Sequence, residues 1–113
     1  MKKIKPPNYQ YCPFCGQNLK TKREETYKRK YCSVCNWTYY PQVFTSVGAV
    51  ILRKNKVLLV QRNREPHKNT WMFPGGFVEY GEHPEVTLKR EVEEETGLKF
   101  VKAEYLDLIE NND

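Results

Sequence analysis

The chain has 113 residues, of which 39% are hydrophobic and 29% charged, and its formal net charge is +5. That length suits one small domain, or a mini-domain plus part of another, and the composition excludes a disordered chain. No apolar run approaches a membrane span, and the basic start Met1-Lys2-Lys3-Ile4-Lys5-Pro6-Pro7 lacks the apolar stretch of a signal peptide. A cytoplasmic chain with anionic partners is expected: nucleotides, nucleic acid or acidic surfaces.

Residues 1–8 read as a loose basic arm, with Pro6-Pro7 as a semi-rigid break. The four cysteines then come as two Cys-x-x-Cys pairs, Cys12 with Cys15 and Cys32 with Cys35, separated by sixteen residues. In a cytosolic chain this spacing reads as a zinc site rather than two redox motifs or a disulfide pair. Each pair sits in a tight turn that aims both sulfurs at one ion. Four thiolates complete a tetrahedron and leave no open position, so a structural zinc is expected. Gly16 and Asn36, just after the pairs, tolerate the backbone such turns need.

Lys20 to Lys30 should be the hairpin between the cysteine turns, and it holds six lysines and arginines against two glutamates. Tyr27 and Tyr31 could stack on bases, which would make the hairpin a nucleic-acid contact. A solvated hairpin is the preferred reading, because charge is how a small ribbon stays soluble. Trp37, Tyr39 and Tyr40 are expected to pack the ribbon against the next domain, since a ribbon has little core of its own. Tyr40-Pro41 marks the boundary. The arm and four-cysteine ribbon thus occupy 1–42, and a second domain begins at Val43.

Val43 to Leu52 is rich in β-branched and apolar residues and reads as a buried strand. Arg53 to Lys56 turns the chain, and Val57 to Gln61 returns as a second strand. Asn63 to Thr70 is a polar loop in which His67 is expected to be solvated. Trp71 to Phe73 should be a short extended segment with Trp71 in the core. Two glycines follow Pro74, where backbone carbonyls or N–H groups could face a metal or a phosphate. Phe100 to Ile109 should add another strand.

The stretch from Gly76 to Leu98 reads GFVEYGEHPEVTLKREVEEETGL and is unusually acidic for a basic chain. Pro84 suits the first turn of a helix and Gly97 the position just past its end. A helix from about Pro84 to Thr96 is therefore expected, with His83 as its leading residue. Glu91, Glu94 and Glu95 then fall within an arc of about 100°. Like charges one turn apart repel. A divalent cation would convert that repulsion into coordination, because Mg²⁺ prefers hard oxygen ligands. Arg90 could hold one of these carboxylates through its planar fork. Taken alone, the glutamates favour a solvated acidic face, since charge runs are usually surface.

The spacing goes further. Gly76, five residues, Glu82, seven residues, Arg90-Glu91, an aliphatic, one residue, Glu94-Glu95, one residue, Gly97 and an aliphatic resembles the Nudix box in full. The resemblance runs from about Val43 to the end. With the four-cysteine ribbon and Tyr-Pro ahead of it, the chain resembles the zinc-ribbon branch of the Nudix hydrolases, which includes NADH pyrophosphatases. The Ser-Gln-Pro-Trp-Pro-Phe-Pro signature of those enzymes is absent: Tyr105 to Asp113 reads YLDLIENND. Other relatives act on ADP-ribose, flavin dinucleotides or similar substrates.

The resemblance implies an α+β chain, a zinc ribbon followed by a Nudix α/β/α sandwich with a mixed sheet, short at its C-terminal side. It implies a hydrolase that cuts a nucleoside diphosphate linked to another moiety, using Mg²⁺ or Mn²⁺. By the same analogy Glu91, Glu94 and Glu95 hold the metal, Gly76 offers a backbone carbonyl and Glu82 supports the site. Glu94, Glu91 and Arg90 carry catalysis. The general base is then Asp107, Glu110 or Asp113, or a glutamate of the box itself.

The rival reading is a non-catalytic module whose ribbon grips nucleic acid or protein while the box is a structural remnant. The intact box favours the enzyme, with a small-molecule nucleotide as partner. Strands at 43–52, 57–61 and 100–109 leave an open apolar edge. A homodimer through that edge, or a partly molten chain with weak activity, is therefore expected.

Overall fold

A computed structural model describes residues 5–110, which form two compact units, one running up to Val43 and the other spanning Phe44–Leu108. Residues 1–4 of the arm and Asp113, one of the candidate bases, lie outside the described residues.

The first unit is a three-stranded antiparallel sheet in the order β1-β2-β3: β1 Lys20–Glu24, β2 Tyr27–Cys32 and β3 Trp37–Thr38. The expected basic hairpin is β1–β2, turning at Glu25, whose φ is 54°. Ahead of it, the Cys12–Cys15 turn is closed by Gly16 N–H donating to the Cys12 carbonyl, and Cys12 N–H donates to the Gln17 carbonyl. Beyond these sulfurs the unit has little core. Its aromatic residues pack on one another: Tyr9 on Tyr39 at 4.8 Å and Phe14 on Trp37 at 5.9 Å. Trp37 and Tyr39 thus find partners inside the ribbon itself.

The second unit is built from short antiparallel pairs and one helix. Strand β4, Ser46–Gly48, pairs with β9, Gly75–Phe77. Strands β5, Leu52–Arg53, and β6, Lys56–Val57, form a hairpin. Strands β7, Val60–Gln61, and β8, Trp71–Met72, form another pair. Helix α1 spans Pro84–Thr96 and packs on β4 and β9. The α+β class is therefore the one that forms, as small sheets with one helix.

The long strand expected over Val43–Leu52 is instead two short ones, and the physical cause is visible. Single hydrogen bonds prolong the β4–β9 register at both ends, Val78 N–H to the Thr45 carbonyl and Ala49 N–H to the Pro74 carbonyl. Pro74 has no N–H to return, so the ladder stops there. The chain then changes partner, and Leu58 N–H reaches the Ile51 carbonyl to start the β5–β6 hairpin. Val57–Gln61 splits for the same reason, its first residue belonging to one hairpin and its last two to another.

Two further expectations fail. Phe100 to Ile109 forms no strand, because no described segment offers it a ladder, and Val101, Tyr105, Leu106, Leu108 and Ile109 stay exposed. Trp71 is 63% exposed rather than core, because the two-residue β7–β8 pair is too small to cover an indole. The largest fully buried side chains of the second unit are Val92 and Thr87, both of the helix, and Pro74.

Candidate functional site

Two clusters of ligand-type side chains form, one in each unit. In the ribbon, the sulfurs of Cys12, Cys15, Cys32 and Cys35 all lie within 4.8 Å of one another. A tetrahedral zinc with sulfurs at about 2.3 Å needs them about 3.8 Å apart. Cys15 and Cys32 Sγ stand at 3.6 Å. The turns also supply donors to the thiolates: Phe14 N–H points at Cys12 Sγ and Cys35 N–H at Cys32 Sγ, each at 3.4 Å. The Cys35 N–H is the main reason the Cys32 thiol is lowered to about 7. The Cys35 thiol is pushed up to about 12, first by its contact with Cys15 and then by burial. Four thiolates this close are mutually unfavourable without a cation between them, and the set fits zinc.

The second cluster is organised by the start of α1. His83 is the N-cap, with extended backbone, and its Nδ1 accepts from Glu85 N–H at 3.2 Å. Pro84 opens the helix, and Gly97, at φ 74°, closes it by donating its N–H to the Glu93 carbonyl. Just ahead of the cap, Glu82 is gripped from the helix. Arg90 Nε donates to Oε1 at 2.9 Å and Nη2 to Oε2 at 3.0 Å, while Thr87 Oγ1 donates to Oε2 at 2.7 Å. These bonds, Arg90's first and Thr87's second, hold the Glu82 carboxyl at about 2. They also raise Arg90 above its ordinary value, so the pair is ionised at any working pH.

Arg90 therefore does more than the sequence suggested. Its fork takes Glu82, while Nη1 donates to Glu91 Oε1 at 2.8 Å and stands 3.5 Å from Glu94 Oε2. One guanidinium links three carboxylates. The glycines set the other side. A Cβ on Gly76 would lie 2.5 Å from Glu91 Cδ and Oε1, so that carboxylate occupies room only a glycine leaves. A Cβ on Gly75 would collide with the Val47 carbonyl, and Gly75 N–H donates to Glu95 Oε2 at 2.9 Å.

Direct contacts thus join Gly76, Glu82, Arg90 and Glu91, while Glu95 is held by the neighbouring Gly75 N–H. Glu94 lies at the rim, its side chain 58% exposed. The three helix carboxylates remain spread: among the described residues only the four cysteines gather three or more such ligand atoms within 4.8 Å. The glutamates are held singly, by Arg90 or by a backbone N–H. Glu91, with its side chain 16% exposed, and Glu94, at 58%, both offer a carboxylate oxygen to the same Arg90 Nη1, and carboxylate oxygens are the donors a hard divalent cation takes. Among the described residues Asp107 accepts only the N–H of its neighbour Leu108.

Two participants were not singled out from the sequence. Thr87 is fully buried with its hydroxyl on Glu82. Its signal was spacing: Thr87 and Arg90 are three apart, so both face Glu82 just ahead of the cap. Gly75 was noticed only as half of a pair, and its separate role depends on how closely β4 approaches.

Comparison with known proteins bears on the same residues. A family model, NUDIX domain, matches residues 43–113. NAD-capped RNA hydrolase NudC from Escherichia coli O1:K1 / APEC is 35% identical over 100 residues, covering 88% of this chain and 37% of that protein. NudC from Shigella boydii serotype 18 matches to the same extent, 35% over 100 residues. The crystal structure of a NUDIX hydrolase from Nitrosomonas europaea superimposes with a TM-score of 0.64 at 31% identity, over 76% of this chain and 50% of that one. The chain spans 37% of the length of these curated relatives.

Proposed function

This chain belongs to the NUDIX family, and on that premise we propose that it is a metal-dependent pyrophosphohydrolase. Residues 43–113 are its Nudix portion and 1–42 its arm and ribbon, the ribbon held by structural zinc. Its substrate is a nucleoside diphosphate joined to another moiety, of the dinucleotide or nucleotide-sugar type, and it acts in the cytoplasm. The relatives' name, NAD-capped RNA hydrolase, supports a nicotinamide-dinucleotide end as one member of that class.

The observation that carries the reading is the seating of Glu91. Its carboxylate fills the space a side chain at Gly76 would take, while Arg90 holds it from the helix side. A solvated acidic helix has no reason to fit a carboxylate so closely against a strand glycine. Magnesium or manganese, when bound, neutralises charge on the diphosphate and acidifies a coordinated water. The residues have separate tasks. Glu91 and Glu95 provide oxygens at the glycine strand. Glu94, exposed and held only by a long contact to Arg90, adds a further metal oxygen on the side open to substrate. Arg90 and Thr87 fix Glu82, which keeps the helix start in place.

The test is a panel of dinucleotides and nucleotide sugars incubated with the full chain, with and without magnesium. Mononucleotide release that depends on the metal is expected for at least one of them. Cleavage of none, by protein that has kept its zinc and its helix, would leave the box a structural remnant.

A further inference from the structure

The ribbon hairpin carries a side-chain array that neither metal site uses. In an antiparallel pair, directly opposed residues share a face, and faces alternate along each strand. The register opposes Lys20 to Tyr31, Lys22 to Arg29 and Glu24 to Tyr27, which puts these six on one face. Thr21, Lys30, Arg23 and Lys28 take the other. On the first face cations and rings are interleaved. Arg29 Cζ lies 4.8 Å from the Tyr27 ring centre and 5.1 Å from that of Tyr40, and Lys22 Nζ lies 5.3 Å from that of Tyr31.

The one acid on this face is already committed. Both oxygens of Glu24 accept from the Tyr40 hydroxyl, at 2.8 and 3.0 Å, and Lys22 stands 3.7 Å away. Lys20, Lys22 and Arg29 against this one carboxylate leave the face positive. Two of its rings remain open, Tyr27 at 59% exposed and Tyr40 at 48%, while Tyr31 is half-buried. Charge alone would suit any anion. Exposed rings laid beside half-buried cations on one sheet face suit a ligand with flat apolar groups strung along a phosphate chain.

We propose that this face binds single-stranded nucleic acid. Tyr27 and Tyr40 are platforms for bases, and Lys20, Lys22 and Arg29 meet the phosphates. A duplex is a poor fit, because its bases are already stacked and offer the rings nothing. The proposal is independent of hydrolysis: its residues all lie in the ribbon and none belongs to the acidic helix.

Fluorescence anisotropy tests it with the zinc-loaded full chain, a labelled uncapped oligoadenylate RNA, the same sequence as DNA, and no added magnesium. Binding should weaken with salt at a logarithmic slope of about −2 for three phosphate contacts. Tyr27→Ala should weaken it roughly 5- to 100-fold, while Tyr27→Phe, which keeps the ring, should not. Lys22→Ala with Arg29→Ala should flatten the salt slope. Arg23→Ala with Lys28→Ala removes the same charge from the opposite face and should change binding much less. Equal affinity for RNA and DNA assigns recognition to bases and phosphates, and a preference for RNA adds the 2′-hydroxyl. Each outcome supports the site. Zinc content of each variant checks that the ribbon is intact. Loss of binding to the same extent from both faces, unchanged binding by Tyr27→Ala, equal competition by polyglutamate, or no binding of either strand would overturn it.

Discussion

The thiolate cluster and the acidic helix both hold ligand-type side chains, but they prepare them differently. The cysteines lie in two tight turns whose hydrogen bonds aim all four sulfurs inward, to within 4.8 Å. The glutamates project from a helix, and like charges on neighbouring turns keep apart unless something neutral or positive separates them. Here Arg90 and the Gly75 N–H do the separating. The turn-based site is closed and suits a cation that stays, whereas the helix-based site is open on the Glu94 side and suits one that works beside a substrate.

Metal removal should expose this difference most sharply. Chelation of zinc, or Cys32→Ser, should unfold the ribbon, since such small sites draw about 10 kcal/mol or more from their metal. Helix α1 should persist, because nothing in its caps needs zinc. Circular dichroism with elemental analysis reads both. A ribbon that stays folded with its zinc gone would remove the contrast.

A second large effect concerns uncovered surface. Phe44 is 90% exposed, Phe77 63%, and the apolar residues of 100–109 have no ladder. Apolar exposure of this kind drives association. Light scattering of the chain alone should report a dimer or larger species at micromolar concentration, and a monomer would show that the surface is tolerated in water.

The two neighbouring glycines sharpen the comparison within the acidic site. Gly75→Ala would press a methyl into the Val47 carbonyl, which is backbone and cannot swing away, so it should cost about 2 kcal/mol or more of stability. Gly76→Ala meets only the end of the Glu91 side chain. It should keep the fold and displace the carboxylate, lowering hydrolysis about 100-fold. Thermal melts and turnover on the same samples separate the two, and equal melting losses would contradict the distinction.

The smallest effect is in the ribbon. The Tyr40 phenol is raised above its ordinary 10.0, first by its hydrogen bond to Glu24 and then by desolvation. A group raised on folding stabilises the fold below its unfolded value and loses that contribution as pH climbs through the folded one. Tyr40→Phe should therefore cost little at neutral pH and nothing above the folded value. Phenolate absorbance of the variant should lack one late-titrating tyrosine.

Much of this was legible because it is local. Pro84 and Gly97 bound the helix, and the cysteine spacing and Lys20–Lys30 hairpin are read from neighbours a few residues apart. What was missed depends on partners far along the chain. The β4 strand ends where it does because Pro74, its distant partner, has no N–H. Phe100 to Ile109 has the composition of a strand but no ladder to join. Trp71 looks like core until the pair carrying it proves too small to cover it. The Glu82–Thr87–Arg90 web could be half read: Arg90 was expected to serve the helix carboxylates, and it serves Glu82 as well because the cap folds Glu82 back over the first turn.

The central claim is that the acidic helix binds a divalent cation through Glu91 and Glu94 beside Gly76. Manganese titration followed by electron paramagnetic resonance measures that directly, without any choice of substrate. The account predicts one site on the zinc-loaded chain, weakened about tenfold or more by Glu91→Gln and by Glu94→Gln, a loss of about 1.4 kcal/mol or more each, with the helix intact or slightly stabilised. Manganese affinity unchanged in both variants would contradict it.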